Sequence, residues 1–97
     1  MPTRWFRYRW DEDRGDEFAD WGGSTWLFAT DEEGIVERQV EIYDGGAVLV
    51  YDESHANDTY GMLSDQPIDS TVPGVQSITE EEFEHLTASL KPLNRPS

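Results

Sequence analysis

Two strand-like runs meet across Asp44-Gly45-Gly46, a short turn of residues that accept positive φ, and this pairing within residues 34–52 limits what the rest of the chain can become. Along the first run Val36, Val40 and Ile42 alternate with Glu37, Gln39 and Glu41, the period of a strand with one apolar face. The second run, Ala47-Val48-Leu49-Val50-Tyr51, is apolar on both sides, as expected of a strand covered on two faces. The pattern predicts a β-hairpin at the centre of an antiparallel sheet.

The flanking segments extend that sheet. Residues 3–10 place Phe6, Tyr8 and Trp10 on one face and Trp5, Arg7 and Arg9 on the other. Residues 24–30, Ser-Thr-Trp-Leu-Phe-Ala-Thr, are rich in β-branched and aromatic side chains, and Asp31-Glu32-Glu33-Gly34 closes them onto the central run. Residues 24–52 therefore read as a meander, and no proline falls between residues 3 and 66 to interrupt it. Tyr60, Met62 and Leu63 are expected to return as a short edge strand, ending a sheet region over 3–63. Residues 64–78 read as a crossing loop, residues 79–91 as a helix and residues 92–97 as a tail. The helix has the clearest local signature: Thr79 with Glu82 spells a capping box, Ile78 can staple to Phe83, and Phe83, Leu86 and Leu90 share a face. The expected fold class is α+β, a twisted antiparallel sheet of four to five strands with this helix packed on one face.

Charge is the one functional lead. Seven basic residues face 21 acidic ones, for a net charge of −14. The arginines Arg4, Arg7, Arg9 and Arg14 crowd the first segment, whereas Arg38 is the lone base between residues 15 and 90. Such a chain repels itself, which favours a monomer when free, and it lacks the cations that phosphate binding requires. Nucleic acid is therefore excluded as a ligand in favour of a basic protein partner. No apolar run approaches a membrane span, no signal-peptide pattern opens the chain, and there is no Cys, so the expected setting is the cytoplasm without disulfides.

Catalytic and metal motifs fail on inspection. Asp11-x-Asp13-x-Gly15 opens like a calcium loop, but the later ligand positions hold Asp16 and Gly22 where Gly and Glu are needed. Ser54, His55 and Asp58 are the residue types of a nucleophilic triad, yet closeness in sequence is not triad geometry and no nucleophile elbow frames them. A small hydrolase using His55 is thus a minor alternative to a protein with no catalytic residue, cofactor or metal.

Three segments in order, Arg7-Tyr8-Arg9-Trp10-Asp11, the run Glu-Arg-Gln-Val-Glu-Ile-Tyr-Asp-Gly-Gly over 37–46, and Ile-Thr-Glu-Glu-Glu-Phe-Glu over 78–84, resemble a family of small acidic bacterial domains of uncharacterised function. Several of those look like members of polymorphic-toxin neighbourhoods, where small acidic proteins serve as immunity partners. The resemblance covers roughly residues 4–87, rests on a strand, a hairpin and a cap, and carries over no functional residue. It implies a non-enzymatic protein that neutralises a basic toxin such as a nuclease. A DNA-mimic inhibitor would use the same charge, and a stand-alone structural or regulatory domain would use it for solubility alone. The expected contacts are the loop acids Asp13, Asp16, Glu17 and Asp20, the strand acids Glu37 and Glu41 taken as exposed, and Trp21 as an aromatic anchor.

Overall fold

A computed structural model describes residues 1–95. Strands β1 (Arg4–Trp10), β2 (Ser24–Thr30), β3 (Val36–Tyr43), β4 (Val48–Asp52) and β5 (Val75–Ile78) form one antiparallel sheet, followed by helix α1 (Glu80–Thr87). The strand order is β4-β3-β2-β1-β5. The expected α+β architecture, its meander and its C-terminal helix are all present.

The central hairpin differs from expectation in one respect: β4 lies at an edge of the sheet. It is nonetheless buried, because other segments close over it. The expected tail turns back along its open side, where the Leu93 amide donates to the Val48 carbonyl at 2.7 Å. Asn94 then brackets Val50, accepting from its amide and donating to its carbonyl, both at 3.0 Å. A side-chain amide thus stands in for a missing strand and blunts the edge. The last two residues of the predicted tail lie outside the described residues.

A β-bulge reorganises β3. Ala29 pairs with Arg38 but Thr30 pairs with Val36, leaving Glu37 as the extra residue. Val36 therefore joins Phe6 and Phe28 on one face, while Val40 joins Leu27, Ala29, Val48 and Phe83 on the other. The simple alternation that put Val36 with Val40 is corrected by that one inserted residue.

Helix α1 covers the second of these faces. Its capping box forms as predicted, Thr79 Oγ1 accepting from the Glu82 amide at 3.0 Å and Glu82 Oε1 accepting from the Thr79 amide at 3.2 Å. Phe83 is fully buried on Leu27, Ala29, Val40 and Val48, with the Arg38 guanidinium 4.9 Å from its ring centre. The helix stops at Thr87 rather than 91; Leu86 within it is exposed, and Leu90 packs against the core from beyond the helix end.

The opposite face is covered by irregular chain over residues 53–74. Tyr60, Met62 and Leu63 do not form the expected edge strand; a single bridge joins Asn57 to Met62, and the segment folds across the sheet. Leu63 and Ile68 seal it down, Leu63 against the cluster of Phe6, Phe28 and Val36 and that of Tyr43, Leu49 and Tyr51, and Ile68 against the first of these. At Gly34, φ is +86° and a Cβ would lie 2.7 Å from the Ile68 carbonyl oxygen, so only glycine allows that approach. The true fifth strand, Val75–Ile78, lies inside the predicted crossing loop.

Candidate partner-binding cleft

The register of the sheet assembles a site that no single segment contains. Trp26 on β2 pairs with Glu41 on β3 and with Tyr8 on β1, while Trp10 and Tyr43 both flank Ser24. Trp10, Trp26, Glu41 and Tyr43 therefore share the face opposite the helix, at the end of the sheet where the 11–23 loop emerges. That loop brings Arg14 and Asp16 across the opening, and Tyr60, Gly61 and Met62 supply the far wall. Together they enclose a cleft of about 290 Å³. Next to it, Tyr8, Trp10, Trp26 and Phe28 border an apolar hollow of about 240 Å³.

Glu41, expected to be an exposed strand acid, is only 3 % exposed and forms part of the cleft floor. The reason is the covering segment over 53–74, which converts the second face of β3 from a surface into a core. Tyr43 donates its hydroxyl to Glu41 Oε1 at 2.6 Å, and Gln39 Nε2 donates to Oε2 at 2.9 Å. Burial pushes the Glu41 carboxyl up from its ordinary value, against the pull of the Tyr43 and Gln39 donors and of the nearby Arg14 charge. The Tyr43 hydroxyl is raised in turn by burial and by Glu41.

Arg14 forms one wall of the cleft. Its guanidinium lies 5.3 Å from the ring centre of Phe18, 5.5 Å from that of Trp21 and 5.9 Å from that of Tyr43. It pairs with Asp16 at 3.1 Å and donates to the Tyr60 carbonyl. Trp21, expected as a free anchor, is half-buried in this assembly, its ring stacked on Phe18 at 4.6 Å and tilted against Tyr43 at 5.1 Å. It fastens the loop to the sheet. At the loop's base Arg9 clamps Asp44 with two hydrogen bonds, at 2.9 and 2.7 Å, and Asp11 with a third at 2.8 Å.

The remaining predicted acids divide between the two ends of the sheet. Asp13, Asp16, Glu17 and Asp20 are exposed on the 11–23 loop beside the cleft. Asp13 accepts from the Gly15 amide and Asp16 from the Phe18 amide, both at 2.8 Å, so both also shape the loop. The Phe18 amide and Arg14 hold the Asp16 carboxyl below the usual carboxylate range. Glu37, the bulge residue, lies at the other end, 3.5 Å from the Met1 amino group. Asp31, Glu32 and Glu33 in the β2–β3 turn and Glu80, Glu81 and Glu82 at the helix start are at that end too.

His55 belongs to a second network. Asp58 accepts from the Tyr51 hydroxyl at 2.8 Å, the Asn94 amide group at 2.9 Å and the backbone amides of Tyr60 and Gly61, with His55 Nε2 at 2.9 Å. Burial works against ionisation of Asp58, but the His55, Asn94 and Tyr51 donors overcome it and hold the carboxyl well below its usual range. The Ser54 hydroxyl donates to Asp52 at 2.7 Å, so the three residue types of a triad are not arranged as one. Asp58 instead ties the covering segment to the sheet and the C-terminal residues.

Trp10, Trp26, Arg14, Tyr60 and Met62 were not among the expected site residues. The signal for the two indoles lies in strand parity: Trp10 shares a face with Tyr8, and pairing with 24–30 brings Trp26 onto it. Arg14 and the 60–62 wall come from irregular chain and left no periodic trace. No protein-family model matches the chain, and neither a curated protein nor a solved structure matches it. Among the described residues, no helix is long and apolar enough to cross a membrane.

Proposed function

We propose that this chain is a non-enzymatic binding protein for a basic protein partner, in the manner of an immunity protein that neutralises a cytoplasmic toxin such as a nuclease. One observation carries the proposal: the exposed acids Asp13, Asp16, Glu17 and Asp20 share one loop, and that loop supplies Arg14 and Asp16 to the lining of an aromatic cleft that also contains Glu41. The acidic loop steers a cationic surface toward this end of the molecule, and the cleft offers desolvated contacts that slow its departure. The net charge of −14 and the resemblance of three segments to small acidic bacterial domains point the same way.

The test is capture from a lysate of the native host on immobilised full-length chain, at low salt and then at high salt, beside the triple variant Asp13→Asn, Glu17→Gln, Asp20→Asn. These changes keep hydrogen-bonding oxygens and remove charge. The proposal expects a basic protein that is retained by the wild type, is released as the Debye length shrinks, and is lost with the variant. Equal retention by both chains, or capture that salt does not touch, would refute it. A second reading, acidity as a solubility feature only, draws on the acids of the β2–β3 turn and helix start, which lie far from the cleft. It expects no salt-sensitive partner at all.

A further inference from the structure

We infer, building on that reading, that the cleft over Glu41 receives one arginine side chain of the basic partner, with the Trp10 and Trp26 indoles and Tyr60 as its walls and the Glu41 carboxylate as its terminus. The volume limits the occupant first. At about 290 Å³ the cleft is at or below the small end of cofactor and drug-sized sites, and suits a single long side chain.

The donor balance at the floor then selects its chemistry. A carboxylate offers about four lone-pair positions. Glu41 receives one hydrogen bond on Oε1 from Tyr43 and one on Oε2 from Gln39, which leaves acceptor capacity on both oxygens. Two parallel acceptors match the planar fork of a guanidinium, whereas an ammonium approaches as a point charge. An apolar occupant would bury the carboxylate further with nothing to compensate it.

The walls agree with the floor. Arg14 already stacks among Phe18, Trp21 and Tyr43, and its pairing with Asp16 and the Tyr60 carbonyl keeps it there as part of the wall. Trp10 and Trp26 sit edge to face, 6.4 Å apart, and carry no stacked cation among the described residues. The molecule thus sets guanidinium groups against aromatic rings internally at Arg4, Arg14 and Arg38, and presents a further aromatic pair beside an acid. Asp16 and Glu41 outweigh Arg14 in the lining, so the cleft itself is anionic.

The test titrates N-acetyl-arginine amide into the full chain and follows the four indole N–H resonances by nuclear magnetic resonance, with the neutral isostere N-acetyl-citrulline amide and with N-acetyl-lysine amide as controls. The inference expects saturable millimolar binding that moves the Trp10 and Trp26 signals, with citrulline and lysine each weaker by about tenfold or more. Glu41→Gln and Trp10→Ala should each weaken arginine binding to the same degree; the half-exposed Trp10 serves if the buried substitution fails to fold. Citrulline or lysine binding as well as arginine, or shifts confined to Trp5 and Trp21, would overturn it. The titration contains no partner, so its failure leaves the acidic-loop reading standing, and failed lysate capture leaves the cleft result standing.

Discussion

The two faces of the sheet are covered by different kinds of chain, and they are built differently as a result. The helix satisfies its own backbone, so the face beneath it needs only apolar side chains: Leu27, Ala29, Val40 and Val48 meet Phe83. Irregular chain cannot do this, and its amides and carbonyls must find side-chain partners. On the opposite face Gln39 donates to the Met62 carbonyl and accepts from the Ser64 amide. Arg14 takes the Tyr60 carbonyl, and Asp58 takes the Tyr60 and Gly61 amides. No buried side-chain nitrogen or oxygen is left without a partner among the described residues. Gln39 holds that cover and also donates to Glu41, so the carboxylate beneath the aromatic cleft is tied to the same side chain.

The sharpest way to break the contrast is Phe83→Ala, which removes the centre of the apolar face. It should cost about 3–5 kcal/mol by chemical denaturation and leave the Gln39–Met62 contacts intact in whatever fraction stays folded. Next comes Gln39→Ala, which strips partners from Met62, Ser64 and Glu41 at once. A loss of roughly 2–4 kcal/mol is expected, with amide exchange quickened over residues 56–66 more than in the helix. If exchange quickened equally on both faces, the distinction between them would be wrong. Thr79→Ala removes the capping box and should cost about 1 kcal/mol, confined to the helix side.

The smallest effect sharpens the comparison through pH. Glu41 has a folded-state value above its ordinary 4.5, so the folded chain keeps this proton to higher pH than the unfolded chain. The stability tied to it is complete below the unfolded value and declines as pH rises through the folded one. Asp58 has the opposite sign: its contribution is present above the unfolded value and is lost as pH falls through the depressed folded one. Denaturation midpoints taken from about pH 7 down toward about pH 4.5 should therefore show the wild type gaining on Glu41→Gln. A wild type that loses ground over that interval would show that Glu41 is held as a stabilised carboxylate instead.

Local signals in the chain carried the fold a long way. The Asp44-Gly45-Gly46 turn, the aromatic strands and the Thr79–Glu82 box each act over a few residues, and each formed. What escaped depends on distant chain. Nothing near Glu37 marks it as a bulge, because the slip appears only when Thr30 takes Val36 as its partner. Glu41 reads as a solvent-facing strand acid until residues 53–74 cover it. Val75–Ile78 is too short to announce a strand without β1 beside it. The candidate site inherits the same limit: its indoles follow from strand parity, and its Arg14 and Tyr60 walls do not.

On the proposed function, the face opposite the helix is the one that meets a partner. Amide hydrogen exchange of the full chain, free and bound to the protein captured from its host, tests it directly. Slowed exchange is expected over residues 8–26 and 60–62, with residues 80–87 unchanged. Protection concentrated on the helix or on the β2–β3 turn would contradict it.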